Sequence, residues 1–186
     1  AIGAYHSFVG QHGEPALRTV AAEDLAGALA ISAELGAIVQ EPSSLDSLFS
    51  GQWAYSDVAR GFLKVAKLIQ QRARFGLKRQ IFFARIGGWD LHDAQLGAHS
   101  NLFADVSRSV AAFYRTTVEL GCADQVTLFS ASDFGRTYNT NGDGSDHGWG
   151  SNHFVVGGAV KGGDIYGKMA DLTIRGPDDA GTRGMW

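Results

Sequence analysis

The chain has one cysteine, three prolines and no marked excess of charge of either sign. A single thiol, Cys122, excludes an internal disulfide framework and any zinc site built from several cysteines. It follows a glycine at an expected helix end, and the expectation is a packed thiol rather than a reactive one. Lys and Arg number 16 against 19 Asp and Glu, for a net charge of -3 and a pI of about 6.0. That balance favours neither nucleic acid nor an anionic membrane surface as a partner. No run approaches the roughly 18 uncharged apolar residues of a transmembrane segment. Phosphate loops of the Gly-x-x-x-x-Gly-Lys-Ser/Thr kind are absent, as is a Gly-x-Ser-x-Gly elbow, so nucleotide binding and elbow-type serine chemistry have no support.

What is present is ordinary globular material. The 186 residues are 45% hydrophobic and 19% charged, enough for one domain with a sizeable core. Glycine is the exception: there are 25, most of them after Gly87. Such a bias points to tight backbone turns around a site in the second half. The chain begins at Ala1 with no Met or signal segment and stops at Trp186 just after a polar, turn-like run. Both ends look like cuts, so a piece of something longer is expected.

Residues 1–78 read as mainly helical. Residues 1–20 show no sustained period, and Gly10, Gly13 and Pro15 break any element there; His6 and His12 are given no role. A helix is expected over Ala21–Val39, ended by Pro42. Ser56 is placed to cap a second helix, Asp57–Phe75, with Val58, Phe62, Val65, Ile69 and Arg72 along one stripe, Lys64, Lys67 and Gln71 opposite and Gly76 as the stop. Residues 79–175 read as a βαβ core. Gln80–Ile86 is an expected buried strand, Gly97–Leu120 a helix closed by Gly121, and Gln125–Ala131 a second strand. His153–Val160 is a third, and Asp164–Gly167 a short hairpin return. Strand, crossover helix and strand imply parallel pairing, with ligands bound outside the carboxyl ends of the strands. The expected fold is therefore α/β, a mostly parallel sheet flanked by helices.

Those strand ends carry the chemistry. Asp90 and His92 are two apart, so in extended backbone they leave the same face. Asp133 follows the second strand. The stretch from Ser132 to His153 then holds three Asp, two His, Arg136 and five Gly between apolar runs. Loops of that length in a compact domain are functional or disordered, and Phe134, Tyr138 and Trp149 give it anchors that a solvated tail lacks. Asp90, His92, Asp133, Asp146, His147 and His153 are the candidate metal ligands, for zinc, manganese or iron. Two ions about 3.5–4 Å apart would need that many and could activate water or clamp a phosphoryl or sulfuryl group. The alternative for each histidine is a local hydrogen bond; His99, at a helix start, reads as a cap or surface residue. Arg136 suits an anion's oxygens, or a salt bridge to Asp133 or Asp143. Lys161, between glycines, could face an anion or simply lie exposed. Asn139-Thr-Asn141-Gly-Asp143-Gly144 resembles the front of a calcium loop, but position twelve is Gly150 rather than Glu, and an Asn-Gly turn explains much of the same string.

In combination, Gly-Gly-Trp-Asp90-Leu-His92-Asp-x-Gln95, Ser-Asp133-Phe-Gly-Arg136-Thr, Asn141-Gly-Asp-Gly-x-Asp146-His147-Gly-Trp-Gly and Gly157-Gly158-x-Val-Lys161-Gly-Gly resemble the bacterial domain-of-unknown-function 1501 family. These motifs cover residues from about 80 to 175. The resemblance implies an alkaline-phosphatase-like fold, alongside sulfatases and metal-dependent phosphoglycerate mutases, and an exported or periplasmic protein, often with a twin-arginine signal. It implies a metal-dependent hydrolase acting on a small anionic phosphate or sulfate ester. A non-catalytic exported binding or surface-assembly protein, with a structural calcium, is the alternative. By the same resemblance Asp90 with His92 look like the first ligand pair, spaced two apart where relatives usually have four. Asp146-His147 look like the Asp-His-Gly element, with Asp133 competing for the place of Asp146, and His153 looks like the last ligand. The superfamily's first metal-binding Asp and its nucleophilic Ser or Thr lie in an N-terminal portion that this chain is expected to lack.

Overall fold

A computed structural model describes residues 15–181, 183 and 184. It divides into two compact units, residues 1–43 and 44–186. Within the first, α1 (Pro15–Gln40) is the sole described element. The expected Ala21–Val39 helix thus takes in residues 15–20 as well, because proline is tolerated in a first helical turn, where its missing N–H would have no partner. Pro42 lies just past its end, as expected. His6 and His12 lie outside the described residues.

The second unit opens with two 3-10 turns, Ser44–Leu48 and Gln52–Tyr55. Ser56 then caps α2 (Asp57–Gln70), its Oγ accepting from the Ala59 N–H at 3.4 Å. The expected helix to Phe75 is interrupted at Gln71, and Arg72–Phe75 forms a separate short α3. α4 spans Gln95–Glu119. Gly76 and Gly121 end these stretches in the left-handed conformation, which glycine adopts without steric cost.

α2 and α4 build the core. Ala59, Ala66 and Ile69 of α2 meet Ala112 and Phe113 of α4, with Leu45, Phe49 and Cys122 closing the ends. Phe62 and Phe113 lie 5.1 Å apart between ring centroids. Each fully buried Leu or Phe of this kind contributes about 1.5–3 kcal/mol of transfer free energy. Cys122 is the packed thiol expected. Lys67 departs from expectation: it is buried, its ammonium 2.8 Å from Asp46. Its charge is met by a carboxylate on the neighbouring 3-10 turn, and a lysine stem can lie buried while its ammonium finds such a partner.

The β structure differs from the expected parallel sheet. Among the described residues there are four strands, β1 (Thr127–Phe129), β2 (Gly135–Thr140), β3 (Ser145–Gly148) and β4 (Val155–Gly157), in two antiparallel pairs, β1 with β4 and β2 with β3. Among the described residues no parallel pair occurs. Gln80–Ile86 has no ladder partner among the described residues: Phe82 packs on the core, whereas Ile81 and Phe83 are 90% and 97% exposed. An apolar run reads as a central strand only if sheet neighbours cover both its faces, and here none does. The strand expected over Gln125–Ala131 shrinks to β1, that over His153–Val160 to β4, and Asp164–Gly167 forms no strand. The chain is therefore mixed α/β, with small antiparallel sheets.

The stretch expected as a long loop is instead mostly a hairpin. β2 and β3 pair Gly135 with Gly148, Arg136 with His147 and Thr140 with Ser145, with a register irregularity between Arg136 and Thr140. Within that irregularity the Asp146 N–H donates to the Thr137 hydroxyl at 3.1 Å. The Asn141-Gly142-Asp143-Gly144 turn closes it: Asn141 N–H donates to Gly144 C=O at 3.0 Å, and Gly144 N–H to Asn141 Oδ1 at 2.9 Å.

Candidate metal centre

Two segments bring the polar residues together. One is Trp89–His92, which runs from the extended stretch into α4; the other is β3. Several hydrogen bonds hold them side by side. Gln95 N–H, in the first turn of α4, donates to Asp143 C=O at 3.2 Å. The Ser145 hydroxyl donates to Gln95 Oε1 at 2.7 Å, and the Asn141 amide to His92 C=O at 3.1 Å. Ala94, just before α4, has φ +43°, a left-handed conformation that costs a non-glycine residue energy and recurs where a site over-determines the backbone. Gly144 lies so close that an added Cβ would sit 2.5 Å from His92 O.

Arg136 is the bridge between the segments. Its guanidinium donates to Ser145 C=O at 2.8 Å and to Trp89 C=O. Each carbonyl immediately precedes a segment's first acid, Asp90 or Asp146. The fork is thus engaged by the protein's own backbone rather than by Asp133 or Asp143.

At the junction three side chains converge. Asp90 Oδ1 lies 2.7 Å from His147 Nε2 and 3.1 Å from His92 Nε2. One ligand atom from each of Asp90, His92 and His147 falls within 4.8 Å of the others. With metal–ligand distances of about 2.0–2.1 Å, the edge of a tetrahedral site is about 3.3 Å, so the spacing and the donor chemistry fit one ion. The side chains stay open to solvent, at 65%, 50% and 44% exposure. The His92 and His147 rings stack at 5.2 Å, and Phe134 lies flat against His147 at 3.9 Å. The Asp90 carboxyl sits below its ordinary pKa, chiefly through the hydrogen bond to His147, with the charges of both histidines adding and desolvation opposing.

Asp146 stands beside this trio. Its Oδ1 lies 3.3 Å from His92 Nδ1, and its Oδ2 pairs with Arg183. Desolvation pushes its pKa up, but the His92 hydrogen bond and the charge and hydrogen bond of Arg183 outweigh that and leave it lowered. Asp133 and His153 do not join the cluster. His153 Nδ1 instead lies 3.2 Å from Ser130 Oγ, which also accepts from the Phe154 N–H at 3.1 Å. His99 is neither cap nor surface residue: its ring packs with Trp89 at 5.4 Å and Phe103 at 5.9 Å. Lys161 is exposed. In the calcium-like string, Asn141 Oδ1 is taken by the turn itself.

Arg183 and Phe134 carry roles that the sequence did not disclose. Arg183 lies 36 residues past His147 in a turn-like run, with no period or spacing to single it out. Phe134 was legible only as an apolar anchor.

Residues 11–179 match the DUF1501 family, described as proteins of unknown function. The chain belongs to that family. No curated protein and no solved structure matches the chain. For this DUF1501 member, Asp90, His92 and Asp146-His147 all fall inside the matched region, and Arg183 falls beyond it.

Proposed function

We propose that this DUF1501 chain carries a divalent-metal centre on Asp90, His92 and His147 and serves the hydrolysis of small phosphate or sulfate esters. The observation that carries the reading is the convergence of one carboxylate oxygen and two imidazole nitrogens from segments 57 residues apart. Mixed nitrogen and oxygen donors suit zinc, manganese or iron. Three protein ligands leave a further position open, the pattern of catalytic rather than structural zinc. When bound, such an ion polarises an ester oxygen and lowers the pKa of a hydroxyl nucleophile. The chain's own part is to hold the three donors at an open surface that a small anion can reach. Phe134 fixes the plane of His147, and Arg136 locks the two ligand-bearing segments together. Kinship with alkaline phosphatases and sulfatases rests on the motifs around these residues.

The test is metal analysis joined to an ester assay. Purified protein should bind zinc, manganese or iron in titration calorimetry, and the full gene-encoded protein should hydrolyse p-nitrophenyl phosphate or sulfate. His147→Ala should lose the metal and at least 100-fold of any hydrolysis while its circular dichroism stays native. A wild-type protein that takes up none of the three metals ends the proposal.

A further inference from the structure

The geometry points to Asp146 and Arg183 as a positioning pair, which sets the tautomer of His92 so that its Nε2 lone pair faces Asp90 and His147. This rests on the metal-centre reading above but concerns residues outside the converging trio.

A neutral imidazole carries one N–H and one lone pair, and the partner of one nitrogen decides the state of the other. Both nitrogens of His92 face carboxylates: Nε2 lies 3.1 Å from Asp90 Oδ1 and Nδ1 lies 3.3 Å from Asp146 Oδ1. Nε2 shares the Asp90 Oδ1 atom with His147 Nε2, which lies 2.7 Å from it. If the proton sits on Nδ1 and is donated to Asp146, the lone pair is left where the other two donors converge. The opposite tautomer would donate to Asp90 Oδ1, which His147 already meets at 2.7 Å, and would set the Nδ1 lone pair against the Asp146 carboxylate.

Asp146 is suited to this part because both its oxygens are engaged. Oδ1 takes His92 and lies 3.5 Å from the Asn141 amide, while Oδ2 takes Arg183. The carboxylate is therefore held in plane by a guanidinium on its far side. Arg183 is itself fixed to the hairpin: its carbonyl accepts from Asn139 N–H at 2.9 Å, and the next carbonyl, of Gly184, accepts from Tyr138 N–H at 3.0 Å. Gly184 N–H donates in turn to Asp179 at 3.0 Å. A chain of contacts so runs from the C-terminal segment, through Arg183 and Asp146, to one ring nitrogen of His92. Partners of this kind commonly set metal affinity by 10–100-fold without touching the ion.

Long-range nitrogen–proton NMR of the metal-free full chain at pH 8.5 reads the His92 tautomer directly. The wild type should show Nδ1–H, Asp146→Ala should convert it to Nε2–H or a mixture, Arg183→Gln should shift it partway, and Arg183→Lys should restore it. Zinc titration should then find affinity about 10–100-fold weaker in Asp146→Ala and Arg183→Gln, where His147→Ala binds none. Arg183→Gln keeps the test open should Asp146→Ala fail to fold. An Nε2–H wild type, or a tautomer indifferent to both substitutions, overturns the pair. So does an Asp146→Ala protein as empty of zinc as His147→Ala, which would make Asp146 a ligand. If the wild type keeps Nδ1–H yet binds no metal, the positioning pair stands and the metal reading alone falls.

Discussion

Arg136 illustrates how little a residue's type says about its part. A guanidinium in a glycine-rich stretch reads from sequence as an anion grip or a salt-bridge partner of Asp133 or Asp143, yet here it joins Trp89 and Ser145 through their carbonyls. Removing it should therefore cost stability before it costs chemistry. Hydrogen bonds from a charged donor contribute about 1.5–3 kcal/mol each, less where water competes, so Arg136→Ala should lower unfolding free energy by about 1–3 kcal/mol in urea denaturation. Lys, which cannot fork to two carbonyls, should restore little of it. Asp171 offers a pH prediction away from the candidate centre. Its carboxyl is held below the ordinary value first by the Thr173 hydroxyl and then by the Thr173 N–H. A depressed folded pKa stabilises above the unfolded value of about 3.9 and is lost as pH falls through the folded one. In an NMR titration, Thr173→Val should move the Asp171 midpoint upward towards that unfolded value.

At the scale of elements, the helices were legible and the sheet was not. The α4 stripe of Leu102, Val106, Val110, Phe113, Thr117 and Leu120 repeats at helical spacing and lies wholly on the covered side. Helical periodicity is a local property that the sequence carries in full. Strand pairing depends on which distant segment supplies the ladder, and nothing in Gln80–Ile86 or Thr127–Phe129 names its partner. The hairpin was half visible in Asn141-Gly142, a strong turn signal, but its strands, Gly-Arg-Thr-Tyr-Asn-Thr and Ser-Asp-His-Gly, lack apolar alternation. The candidate site divides likewise. Asp90 and His92 followed from two-residue spacing and His147 from its setting, whereas the Asp146–Arg183 pair needed a fold to bring it about. Gly144 gives this scale its prediction. Its approach to His92 leaves no room for a Cβ, so Gly144→Ala should push the hairpin turn away from Trp89–His92. Overpacking of this kind costs about 1–3 kcal/mol. Chemical denaturation should show that loss, and calorimetry a weaker zinc isotherm than wild type.

For the whole molecule, the candidate centre sits at an exposed margin of the second unit, away from the α2–α4 core. Metal would therefore act on stability by mass action rather than by completing the core. An ion that binds only the folded state adds about 2.7 kcal/mol at a hundredfold excess over its dissociation constant. Thermal melts should rise with added zinc, fall back with a chelator, and leave the metal-free protein cooperatively folded. The rise should shrink in acid, since ligand imidazoles must be neutral to bind. An unfolded metal-free chain would mean that the centre is structural.

The bonds from Arg136 to Trp89, Asn141 to His92 and Ser145 to Gln95 join stretches 47 to 50 residues apart, with α4 between them. A protease that nicks the backbone within that helix would therefore not free either half. The two pieces should migrate together on a sizing column and come apart only in denaturant.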